Sequence, residues 1–161
     1  MNRSARPMCW KMIDRMDSEI FDAFWAEKGE GQEYSLLVTG YSMRPFLLHN
    51  RSCVFIQKKS QVKLRKGDVI LFRRDTGKVI LHRIVRVCAN GSIITNGDAQ
   101  CWIETIRSDQ VYARVTRICR TSRVFSADNL LYRVFTVTWV RLLPIRPFLF
   151  KLWAKLLRRK S

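Results

Sequence analysis

No stretch of ~20 uncharged apolar residues occurs anywhere in these 161 residues, so no ordinary transmembrane helix is expected. Residues 1–30 are broken by Lys11, Asp14, Arg15, Asp17, Glu19, Asp22 and Glu27, which leaves no apolar core for a secretory signal. Acids are scarce: 13 stand against 30 lysines and arginines, a formal net charge of +17. From Asp109 to Ser161 the only acids are Asp109 and Asp128, so the last third is the basic part. An excess of this size favours an anionic partner: nucleic acid, anionic lipid or an acidic peptide. The cysteines Cys9, Cys53, Cys88, Cys101 and Cys119 never stand at CxxC spacing, which excludes a zinc ribbon or a dithiol redox motif. Their number is odd and several lie in apolar runs. Free thiols in a reducing compartment are therefore expected, and with them a cytoplasmic location, peripheral on the inner membrane face if membrane-bound at all. Histidine is rarer still, with only His49 and His82. There is no internal repeat and no low-complexity segment.

The hydrophobic fraction is 47%, enough for a core, and the length suits one domain. Trp10, Ile13, Ile20, Phe21, Phe24 and Trp25 recur at three- and four-residue spacing, which predicts a helix over 10–28 that ends at Gly29 and Gly31. The middle reads as six short strands rich in β-branched residues: 36–39, 53–57, 69–73, 79–87, 93–95 and 111–118. Asp75-Thr76-Gly77-Lys78 and Asn90-Gly91 link them as hairpins. The expected fold is mainly β, a compact folded-over antiparallel sheet or barrel with flanking N- and C-terminal helices. Three parts are expected: an amphipathic helix at 1–30, a β domain at 31–122 and a basic amphipathic tail at 123–161. Pro144 and Pro147 should break the tail. Beyond them, Phe148–Lys160 is apolar on one side and basic on the other, the pattern of a helix lying in an anionic membrane interface.

The candidate chemistry starts at Ser42, in Gly40-Tyr41-Ser42-Met43-Arg44-Pro45. A strand that ends at a glycine and turns before a proline presents one hydroxyl on a stiff corner. A serine hydroxyl is a poor nucleophile until a base takes its proton. His82, inside the apolar run Leu81-His82-Arg83-Ile84, supplies a base that titrates near ~6.5 when unperturbed. Lys66-Gly67-Asp68 and Asn96-Gly97-Asp98 complete the series, and each alone reads as a turn. His49, in a loop, reads as a surface residue, and Asn50 can make the turn there.

In this order the four boxes resemble the signal peptidase family of serine endopeptidases, in the S24/S26 clan that also holds the self-cleaving repressors. The resemblance covers about residues 35–120. It implies a β fold of the signal peptidase and repressor-protease type, with Ser42 as nucleophile and His82 as base, as in the branch where histidine replaces lysine. The acid that orients the base maps to Glu104 or Asp98. The Ser42 N–H is the natural oxyanion donor. A peptide or protein substrate, leader- or signal-like, is implied, with no cofactor and no metal. Two alternatives stand beside this: a self-cleaving or regulatory repressor-type protease, and a non-catalytic peptide-binding module at a membrane surface. Nucleic acid is disfavoured, because the N-terminal ~30 residues are too short and acidic for a helix-turn-helix with a basic recognition helix.

Overall fold

A computed structural model describes residues 18–58, 60, 63–120 and 123–148. Among them are helix α1 (Ser18–Ala26), strands β1 (Tyr34–Leu37), β2 (Ser52–Lys58), β3 (Val69–Arg73), β4 (Val79–Val87), β5 (Ile93–Asn96), β6 (Glu104–Ile106), β7 (Val111–Arg120) and β8 (Arg123–Ser126), and helix α2 (Leu130–Arg141). The strands form one antiparallel sheet in the order β1-β2-β7-β3-β4-β5-β6, and β8 pairs with β7. This is the mainly β, folded-over architecture expected from the sequence. The hairpins also fall as expected: Gly77 and Gly91 take φ of 81° and 82°, conformations open to glycine without strain.

Two cores explain why the sheet folds over. β3 reads Val69-Ile70-Leu71-Phe72, apolar at every position, and all four residues are buried. Side chains alternate across a strand, so both faces of β3 must be covered. Val69 and Leu71 join one core with Val54, Ile56, Ala113, Val115 and Ile118. Ile70 and Phe72 join the other with Ile84, Ile93, Ile106 and Val111. α1 closes the larger core with Phe21 and Trp25, and Asp22 accepts hydrogen bonds from the Tyr112 hydroxyl and Arg73. The helix expected over 10–28 is thus described from Ser18 to Ala26, and the rest of its N-terminal half lies outside the described residues.

Residues 123–148, drawn from the sequence as tail, provide β8, α2 and a 3-10 turn at Leu143–Ile145. The Asn129 side chain accepts from the N–H groups of Leu131 and Tyr132 and starts α2. The helix stops at Arg141, three residues before Pro144. Thr136 and Val140 face inward, while Leu130, Leu131 and Val134 stay exposed. The expected membrane segment Phe148–Lys160 lies outside the described residues beyond Phe148.

One expectation is corrected. Cys53 is disulfide-bonded, and only Cys88, Cys101 and Cys119 are free among the described residues. An odd number of cysteines leaves room for a pair, so free thiols no longer speak for a reducing compartment.

Candidate active site

β1 delivers the serine to its corner. The Val38 N–H donates to Ser52 O (2.9 Å), and Val38 O accepts from Asn50 N–H (2.8 Å). Asn50 takes φ 54°, the left-handed turn that asparagine tolerates, so it makes the turn as its sequence position suggests. Gly40 turns the chain with φ 84°. Its N–H donates to His49 Nδ1 at 2.9 Å, and the His49 ring lies 4.8 Å from that of Tyr41. His49 is therefore a half-buried prop under the serine corner, not a surface residue. Met43, Phe46 and Leu47 bury themselves beyond it and leave Ser42 half-exposed between them and the glycine.

The Asn96-Gly97-Asp98 turn meets this corner through backbone atoms. The Ala99 N–H donates to Ser42 O at 2.7 Å. A Cβ on Gly97 would lie 2.9 Å from that same oxygen and 2.5 Å from Gln100 Oε1. Glycine is required here by close approach rather than by φ.

β4 carries the histidine and one arginine of the site. His82 and Arg83 are adjacent, so the pleat sends them to opposite faces. His82 is buried, and its Nδ1 lies 2.7 Å from Glu104 Oε1 at the start of β6. Arg74 grips that carboxylate with two bonds, Nε to Oε2 at 2.6 Å and Nη2 to Oε1 at 2.8 Å. Burial acts to raise the Glu104 pKa, but hydrogen bonds and charge from His82 and Arg74 outweigh it and hold the carboxyl at about 2. The His82 ring lies 6.0 Å from Phe72 and 6.1 Å from Trp102, and the Arg74 guanidinium sits 5.5 Å over the Trp102 ring.

Arg83 goes the other way. It is fully buried and forks onto Asp98, Nε to Oδ1 at 2.8 Å and Nη2 to Oδ2 at 2.7 Å. It also donates to Gly67 O at 2.7 Å and to the Tyr132 hydroxyl at 3.3 Å. Burial works against this charge, yet Asp98 more than offsets it and the Arg83 pKa stays raised.

Of the four residues singled out from the sequence, the structure brings His82 and Glu104 into contact and places Asp98 on Arg83. Ser42 and His82 both abut the 97–103 loop, the first through Ala99 and the second through Trp102. No hydrogen bond joins the Ser42 hydroxyl to the His82 ring. Among the described residues, no group of three or more His, Cys, Asp or Glu side chains is placed to hold a metal.

Sequence reasoning missed Arg74, Arg83 and His49. Arg83 left a signal, a charged residue between His82 and Ile84 in a strand otherwise apolar enough to be buried. Arg74 left none, because its role comes from the β3–β4 hairpin approaching β6.

An apolar groove runs up to Ser42. One wall is the segment Leu36–Met43 and the other is Val79–Leu81, with Val54 also in its lining. β1 pairs only with β2, and Val79–Leu81 pair only with β3, among the described residues. Both walls therefore offer unpaired strand edges.

A folded-over antiparallel β domain, with a serine corner tied to a glycine turn, defines a fold of the peptidase and repressor-protease type. A family model described as Peptidase S24-like matches residues 12–112, and the chain belongs to that family. Neither a curated protein nor a solved structure matches the chain.

Proposed function

We propose that this chain is a serine endopeptidase acting on a leader- or signal-like peptide. Ser42 is the nucleophile, His82 the general base and Glu104 the acid that orients it. The observation that carries the reading is the Glu104–His82 contact. With Nδ1–H donated to a carboxylate held ionised by Arg74, the lone pair of the imidazole is left on Nε2. Nε2 makes no hydrogen bond within the described residues. It takes the Ser42 proton as Oγ attacks the scissile carbonyl, and then returns that proton to the leaving amine. Water hydrolyses the acyl-serine by the same route. The Ser42 N–H, which has no acceptor among the described residues, is free to meet the oxyanion. An extended peptide pairs with the open strand edges of the groove, and the apolar walls favour apolar side chains on either side of the scissile bond.

A fluorophosphonate probe tests the chemistry before any substrate is known. The parent should acquire one adduct, at Ser42. Ser42→Ala and His82→Ala should lose labelling, and on a cleaved peptide kcat should fall by about 10⁴–10⁶-fold. Variants that label or cut like the parent would sink the proposal. Cleavage of the chain itself, at a rate independent of its concentration, would favour the repressor-type alternative.

The second partner proposed is an anionic lipid surface. α2 exposes Leu130 (75%), Leu131 (81%), Val134 (59%) and Phe135 (57%), with Phe148 (68%) beyond it. The sequence that follows carries Lys151, Lys155, Arg158, Arg159 and Lys160. An apolar face continued by a basic segment fits an interface in which the ring and aliphatic groups enter and the cations meet headgroups. Vesicles containing phosphatidylserine should bind the chain, added salt should release it, and Leu131→Glu with Phe135→Glu should weaken binding about tenfold or more. Equal binding to neutral and anionic vesicles would refute it.

A further inference from the structure

The family match ends at residue 112, and α2 lies beyond it. Yet α2 and the turn after it touch three of the four sequence boxes and the residue that follows the fourth. Phe46, next to Pro45, packs its ring against Tyr132, Phe135 and Trp139 at 6.2, 5.0 and 5.8 Å. Arg133 Nη1 donates to Asp68 Oδ1 at 3.0 Å, and Val137 lies 3.3 Å from where a Cβ of Gly67 would be. The Tyr132 hydroxyl accepts from Arg83 at 3.3 Å. Trp139 Nε1 donates to Asp98 O at 3.2 Å.

The deepest of these contacts is Arg146, at 1% exposure. Its Nη1 donates to Asn96 Oδ1 at 2.6 Å and, at longer range, to Asp98 O (3.3 Å) and Gln100 O (3.4 Å). Its Nη2 donates to Trp139 O at 2.8 Å, and the guanidinium lies 4.7 Å over the Trp139 ring. Because arginine can only donate, the Asn96 amide must turn its oxygen to Arg146 and its NH₂ away. That NH₂ reaches Trp102 O at 2.5 Å and Gln100 O at 3.2 Å. The same loop holds Ser42 O through Ala99 and lays Trp102 beside His82.

We propose that Arg146 is a positioning residue of the active site, holding the 96–103 loop in register with both Ser42 and His82. The proposal rests on the serine endopeptidase reading. It makes the segment beyond the family match part of the machinery rather than an appendage. Lysine cannot substitute, since one ammonium has no planar fork with which to hold Asn96 and Trp139 at once.

The test compares the full chain with Arg146→Met, Arg146→Lys and Arg146→Gly by probe acylation at Ser42, peptide kinetics and amide hydrogen exchange. In Arg146→Met, exchange should quicken over 97–103 while β2, β3 and β7 stay protected. Acylation and kcat should fall by about 10–10²-fold with KM little changed, because the groove walls are built elsewhere. Arg146→Lys should recover little, and added guanidinium should restore part of the rate of Arg146→Gly. Unchanged exchange over 97–103 in the folded Arg146→Met chain overturns the proposal. So does faster exchange with full acylation. A parent chain that never reacts with the probe overturns the endopeptidase reading instead, and the exchange result alone then decides whether Arg146 holds the loop.

Discussion

Glu104→Gln should lower kcat by about 10³–10⁴-fold near neutral pH while the chain stays folded. The amide keeps the size of the carboxylate but changes two things. Its NH₂ can donate to Nδ1, which moves the imidazole proton to Nε2, the atom that accepts from Ser42 in the proposed mechanism. It also removes the negative charge that stabilises the imidazolium as the proton arrives. Kinetics on a cleaved peptide, or the rate of probe acylation, measures this, and a rate within threefold of the parent would remove Glu104 from the mechanism. The same substitution has a stability signature. The folded-state pKa of Glu104 lies at about 2, below its usual 4.5. A depressed carboxyl contributes stability above its unfolded-state value, and that contribution is lost as pH falls through its folded-state value. Denaturant midpoints of the parent should therefore drop between about pH 5 and pH 2, and Glu104→Gln should flatten that part of the curve.

Arg83→Met should destabilise the fold by about 3–5 kcal/mol. It leaves the Asp98 carboxylate, 0% exposed, without its bidentate partner, and strips Gly67 O and the Tyr132 hydroxyl of a donor. Domains of this kind are stable by only ~5–15 kcal/mol, so the loss is a large share of the total. Arg83→Met combined with Asp98→Leu should recover most of it, since apolar groups of similar volume replace a buried pair at little cost. The denaturant midpoint at constant slope reads both variants. A single variant within about 1 kcal/mol of the parent would show that the pair is not what holds the β4–β5 region.

Much of the β domain is legible in the sequence because its signals are local. Val69–Arg73 and Val79–Val87 are observed with the same bounds that β-branched runs and turn residues suggest. β6 and β8 escape because they are three and four residues long, and Glu104 or Arg123 at their starts gives no apolar pattern. The site follows the same rule. Ser42 and His82 stand out by the company they keep in sequence. Glu104 and Asp98 could not be told apart there, because the choice depends on which face of β4 each one meets. The role of the C-terminal segment was hidden for a similar reason: Arg146 is 50 residues from Asn96 and meets it only once the sheet has folded.

The adjacency of His82 and Arg83 in β4 carries a consequence for how this chain can change. One neighbour faces Glu104 and the other faces Asp98, and only the pleat separates their duties. Deleting one residue from β4 ahead of His82 would shift everything behind it by one step. Arg83 would then stand where His82 meets Glu104, and Ile84 where Arg83 meets Asp98, which would leave that buried carboxylate without a cation. A substitution in this strand alters one set of contacts, whereas a change in its length sends every side chain behind it to the other face. The β3–β4 hairpin is accordingly where insertions and deletions should be absorbed, so that the spacing within the strand is left untouched.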